Sequence, residues 1–79
     1  VMVHDLKINK EFFRPVLAKI KTFEIRKNDR NFCVGDKVVL NEWDEEKRQY
    51  TGEKVNTEII YITNYEQKDN YVVFSFKII

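Results

Sequence analysis

Between Ile20 and Thr22 the spacing of apolar residues changes, and that change constrains the fold of this chain more than any other feature. Before it, Phe12, Phe13, Val16, Leu17 and Ile20 return every three or four positions, the period of one helix face, with Lys10, Glu11, Arg14 and Lys19 off that face. After it, Phe23 and Ile25 alternate with Thr22, Glu24, Arg26 and Asn28, the two-residue period of a strand. A short helix therefore hands over to a strand at Lys21. Taken by polarity, Phe23 and Ile25 belong to the core, and Thr22, Glu24, Arg26 and Asn28 to the outer face. Pro15 has no amide hydrogen and clashes with the carbonyl four residues back, so the helix either bends there or has its regular part begin near it.

The remainder reads as strands. Val3 to Ile8 forms the first, closed by Asn9 as a helix cap. After the polar turn Asn28 to Asn31, Phe32-Cys33-Val34 leads into a tight Gly35-Asp36 turn. Lys37 to Trp43 follows, with Val38 and Leu40 on one face and Val39, Asn41 and Trp43 on the other. Asp44 to Thr51 is a charged connection, and Gly52 helps reverse it into the strand Lys54 to Thr63. There Ile59-Ile60-Tyr61-Ile62 is unbroken, as expected of a central strand covered on both faces. Tyr71 to Ile79 alternates cleanly. The expected fold is α+β and mostly β: a single domain over residues 1–79, with five or six strands in a small curled sheet or barrel and one short helix. A chain of 79 residues buries only about 60 per cent of its unfolded surface, so its core must be dense, and six Phe, four Tyr and one Trp supply the bulk.

Fourteen basic against thirteen acidic residues leave a formal charge of +1, which argues against strong unspecific binding to nucleic acid. The distribution is polarised. Lys7, Lys10, Arg14, Lys19, Lys21, Arg26, Lys27 and Arg30 face only Glu11, Glu24 and Asp29 in the same stretch, while Glu42 to Glu46 is acidic. One cysteine and one histidine give neither an internal disulfide nor a Cys/His zinc site, and no cofactor is expected. Cys33, between Phe32 and Val34, reads as a small buried or half-buried apolar residue. No apolar run approaches the roughly 20 residues of a membrane span, and no leader pattern is present, so the expected setting is the cytoplasm.

The stretch Lys21-Thr-Phe-Glu-Ile-Arg26, after a short helix and before Val34-Gly35-Asp36, resembles the activating-signal-cointegrator homology (ASCH) domain, whose pattern is Gly-x-Lys-x-x-Glu-x-Arg. Lys21, Glu24 and Arg26 match it; Lys19 stands at the glycine. His4-Asp-Leu-Lys7, Phe23 to Arg30, Val34-Gly-Asp36 and Tyr50-Thr-Gly52 resemble a short bacterial and phage subfamily, so the likeness covers nearly the whole chain. It implies a PUA-like barrel with a cleft lined by the motif, in a superfamily proposed to bind RNA.

The side chains suit such a role. Arg26 presents a rigid fork of donors for a phosphate or a base edge, Lys21 a mobile point charge, and Glu24 an acceptor for an exocyclic amine or a ribose hydroxyl. Asn28, Asp29 and Arg30 form a second polar rim with Lys27 as a further binding residue, His4 and Lys7 join the cleft if the first strand neighbours the charged one, and Trp43 and Tyr50 offer rings for stacking unless Trp43 caps the core. The first expectation is a module that binds RNA, a nucleotide or a nucleoside through Lys21, Glu24 and Arg26. A second is an amidohydrolase acting on a modified nucleoside through Lys21 and Glu24, since similar small bacterial proteins hydrolyse acetylated cytidine with a lysine, a threonine and a glutamate; Glu24 occupies the threonine position. A third is a protein-interaction module using a sheet edge or the Asp44 to Glu46 segment.

Overall fold

The computed structural model describes all residues from Val1 to Ile79, in the order β1 (Val3–Asn9), α1 (Lys10–Leu17), β2 (Phe23–Lys27), β3 (Lys37–Asp44), β4 (Gln49–Thr63) and β5 (Tyr71–Ile78). The five strands form one curled sheet in the order β1-β3-β4-β5-β2, a half-barrel with one short helix, which is the mostly β architecture expected. β1 runs parallel to β3 and every other pair is antiparallel. A parallel pair needs a crossover, and the helix, β2 and the following loop supply it. No helix is long and apolar enough to cross a membrane.

Inward-facing residues of β1, β3, β4 and β5 alternate along each strand and pack with Phe13 and Val16 of the helix; Val38, Leu40, Ile59 and Phe74 are fully enclosed. The helix face is narrower than its sequence period suggests. Phe13 and Val16 are buried, but Phe12 and Leu17 are half exposed and Ile20 lies in solvent, because the helix is only two turns long and seats one edge on β1 and β3.

Pro15 lies inside the helix, so the regular part does not begin there. Its carbonyl instead organises the helix end, accepting from the amides of Ile20 at 3.0 Å and Lys21 at 3.1 Å, while the amide of Lys19 donates to Val16 at 2.9 Å. This is a Schellman stop, with Lys19 at φ 61° in the left-handed position that glycine fills most easily. The stop delivers Lys21 to the head of β2.

The polarity of β2 is inverted relative to expectation. Phe23 and Ile25 face outward, and Glu24 faces the interior, 5% exposed. The two-residue period holds; the choice of inner face follows the ion pairs described below rather than hydrophobicity. The run Ile59 to Ile62 also has a different origin. β4 is the middle strand, but a bulge between Ile59 and Tyr61 inserts Ile60, so Ile59 and Ile62 both point inward while Ile60 and Tyr61 are exposed. β3 extends through Asp44, and the acidic segment is not a wholly exposed loop, since Glu42 and Asp44 are buried. Cys33, expected to be buried or half-buried, is exposed because the loop turns its side chain away from Phe32, which enters the core in its place.

Candidate functional site

β1 and β2 stand at opposite ends of the sheet order, yet the curl brings them face to face. No ladder joins them. The seam is bridged by side chains: Arg26 Nη2 donates to the carbonyl of Lys7 at 2.8 Å and Arg30 Nη1 to the carbonyl of Asp5 at 3.1 Å. Beside the helix the seam widens into a cleft of about 460 Å³, with Lys7, Ile8 and Asn9 on one wall, Phe23 to Arg26 on the other, and Phe12 and Lys21 at its head.

Lys21, Glu24 and Arg26 converge there. Arg26 donates to Glu24 Oε1 from Nε at 3.0 Å and from Nη2 at 2.7 Å. Lys21 Nζ donates to Glu24 Oε2 and, at 2.6 Å, to the carbonyl of Phe23. The carboxylate is thus held between two cations in a nearly dry setting, where an unpaired charge would be expensive and a doubly bonded one is tolerated. Nη1 of Arg26 makes no hydrogen bond within the protein, and Lys21 has a third donor to spare, so both cations retain capacity toward the cleft.

Four apolar side chains complete the walls: Ile8, Phe12, Phe23 and Ile25. Phe12 and Phe23 are 46% and 44% exposed as residues, and their rings flank Lys21 Nζ at 5.8 and 4.9 Å from their centroids, within reach of a cation–π attraction. Sequence reasoning gave both rings to the core and so missed them as cleft residues. The available signal was their adjacency to Lys21 at the change of period. Asn9 stands at the N-cap position but makes no side-chain cap bond and instead lines the cleft.

Other expected site residues lie elsewhere. Lys7 does line the cleft, with its Nζ 4.3 Å from the centre of the Trp43 ring, and Trp43 meets Tyr50 edge to face at 4.9 Å. Arg30 closes the seam. Asn28 staples its loop, accepting from the Phe32 amide at 3.0 Å and pairing through its own amide with the Asn70 carbonyl, while Lys27 is exposed away from the cleft.

His4 is an interior residue, 4% exposed, packed edge-on against Phe32, with Nε2 2.8 Å from Asp36 Oδ2. It does not line the cleft, because its ring is enclosed near the start of β1 between Phe32 and Asp36. Asp36 also accepts from the amides of Met2 at 3.0 Å and Cys33 at 3.1 Å. Burial alone would raise its pKa; these hydrogen bonds and the charge of His4 outweigh that and hold the carboxyl below its ordinary 3.8. Asp44 is likewise lowered, first by the Lys47 amide, with help from Lys10 and the Glu46 amide against a smaller effect of burial. No group of three or more His, Cys, Asp or Glu side chains is arranged to hold a metal ion.

Residues 3–76 match a family described as a domain of unknown function, DUF3850. The chain belongs to that family. It is also similar to an uncharacterized 12.9 kDa protein in the GpA 3′ region of Escherichia phage P2, at 37% identity over 62 residues, 78% of this chain and 55% of the phage protein. The chain therefore spans little more than half the length of that relative.

Proposed function

We propose that the seam cleft binds a nucleotide, either free or unpaired within RNA, by stacking its base against Phe12 or Phe23 and reading its polar edge with Glu24, Arg26 and Lys21. The observation that carries this reading is the juxtaposition of two half-exposed aromatic rings with a cation–carboxylate–cation network in one concave seam. Aliphatic walls alone would suit any apolar ligand, and the ionic network alone would suit structure. Together they offer a planar face and in-plane donors and acceptors, which is what an unstacked base requires. The open cleft and the net charge of +1 favour a short single-stranded ligand over a duplex, whose affinity rests on many phosphate contacts.

The same reading places the family among ASCH domains of the PUA-like superfamily. Lys21, Glu24 and Arg26 fall at the motif positions, and Lys19, where that motif carries glycine, has the left-handed backbone glycine favours. A cytoplasmic setting accords with the one free thiol. The direct Lys21–Glu24 contact is what an amidohydrolase reading would draw on. Glu24 is also held by Arg26 through two bonds to its other oxygen, an arrangement better suited to presenting a fixed acceptor than to shuttling a proton.

The deciding experiment titrates the protein at low salt with nucleosides, nucleotides and short single-stranded RNA, in parallel with Phe12→Ala and Phe23→Ala. Binding weakened in both variants, with unfolding midpoints near the parent, supports the reading. No binding by the parent to any of these overturns it, and turnover of an acetylated nucleoside would shift the assignment to catalysis.

A further inference from the structure

Lys21 is the wall between two concavities. On one side is the seam cleft; on the other is a depression of about 270 Å³ below the helix end, lined by Lys19, Lys21, Thr22 and Lys77 over an apolar floor of Val16, Phe76 and Ile78. Three lysines and a threonine border it, and no carboxylate does. Lys21 is compensated by Glu24, but Lys19 and Lys77 take part in no salt bridge. The carboxylate nearest in register to Lys77 is Glu58 on β4, which is engaged by Lys37 at 3.4 Å. Two uncompensated cations beside a third make a local positive field that the net charge of +1 conceals.

The backbone adds a second observation. Lys19 adopts φ 61° at the helix stop, a conformation strained for a residue with a β-carbon. Glycine would terminate the helix as well without that strain. Attraction to the helix C-terminus does not require lysine at this position, because Lys21 already stands two residues on. Lys19 shares this left-handed backbone with Asn31, Arg48, Glu66 and Asn70, and it is the one of the five that borders the depression.

We propose that this depression is a phosphate site, Lys19 and Lys77 taking the phosphate of the nucleotide whose base lies in the adjoining cleft, with Lys21 spanning both. The inference rests on the cleft reading and sharpens it from nucleosides in general to phosphorylated ligands. Phosphate oxygens match the site chemically: ammonium groups bind them as point charges, and the Thr22 hydroxyl can donate as well.

The test measures dissociation constants by calorimetry for nucleosides, for their 5′-monophosphates and for short oligonucleotides lacking a terminal phosphate. The expected result is that monophosphates bind about tenfold or more tightly than nucleosides at low salt, an advantage that salt erodes. Lys77→Ala and Lys19→Gly should each remove most of that advantage, and neither threatens the fold, since Lys77 is exposed and glycine relieves strain at position 19. If the oligonucleotides share the advantage and lose it in the same variants, the phosphate is an internal one of RNA; if only monophosphates show it, the ligand is a free nucleotide or a 5′ end. Nucleosides and nucleotides binding equally, or an advantage unchanged in both variants, overturns the phosphate site and leaves the cleft reading intact. Absence of all binding removes both.

Discussion

The guanidinium of Arg26 donates to the main-chain carbonyl of Lys7 at 2.8 Å while its other donors hold the buried carboxylate of Glu24, so one side chain both closes the seam and builds the floor of the cleft. Removing it leaves a buried charge with only Lys21 for company. Arg26→Ala should therefore destabilise the fold by about 3 kcal/mol, and Arg26→Lys, which restores charge without the fork, by roughly half as much. Urea unfolding of the parent and both variants checks the order.

Lys19→Gly should move stability the other way. Relief of the left-handed strain is worth about 1 kcal/mol, which for a domain of this size raises the thermal midpoint by roughly 4–8 °C. A midpoint at or below that of the parent would show that the lysine contributes packing that offsets its backbone strain.

Neighbouring phenylalanines on the helix should part company. Phe13 is 1% exposed and its truncation to alanine should cost about 3–5 kcal/mol, whereas Phe12→Ala should cost well under half of that. The cost to a stacked base is reversed: Phe12→Ala should weaken nucleotide binding by about tenfold. Calorimetric titration beside thermal unfolding of the two variants tests the contrast.

Acid should act through Asp36 and Asp44. Both carboxyls titrate below their ordinary value of 3.8 in the folded protein, so each contributes stability that is whole above that value. That contribution declines as the pH falls past 3.8 and is gone once it is below the lowered folded value. Asp36→Asn should flatten the acid limb of a plot of urea midpoint against pH, and it should do so more than Asp44→Asn, because Asp36 is enclosed with His4 and Asp44 answers chiefly to an amide in an open turn.

Much of this architecture is legible in the sequence, because period survives where polarity misleads. The switch at Lys21 and the alternations in β3 and β5 depend only on which residues share a face, and strand geometry dictates that. Which face turns inward is a tertiary matter. In β2 two apolar residues lost the interior to Glu24, since its partners Lys21 and Arg26 come from the same short segment and bury it as a set. His4 was beyond reach for a similar reason: its partner Asp36 is 32 residues away, and the parallel pairing of β1 with β3 that unites them leaves no local pattern. The bulge at Ile60 imitates a doubly covered strand in composition, and only the register tells the two apart.

The seam has a consequence for how the molecule meets its own kind. A bare strand edge is a template on which another chain can add a strand. On β1 the carbonyls of Asp5 and Lys7, which would receive such a guest, are already occupied by Arg30 and Arg26. The arginines that shape the cleft are thus also its guard against unwanted company, and a protein stripped of both would first betray the loss by sticking to itself.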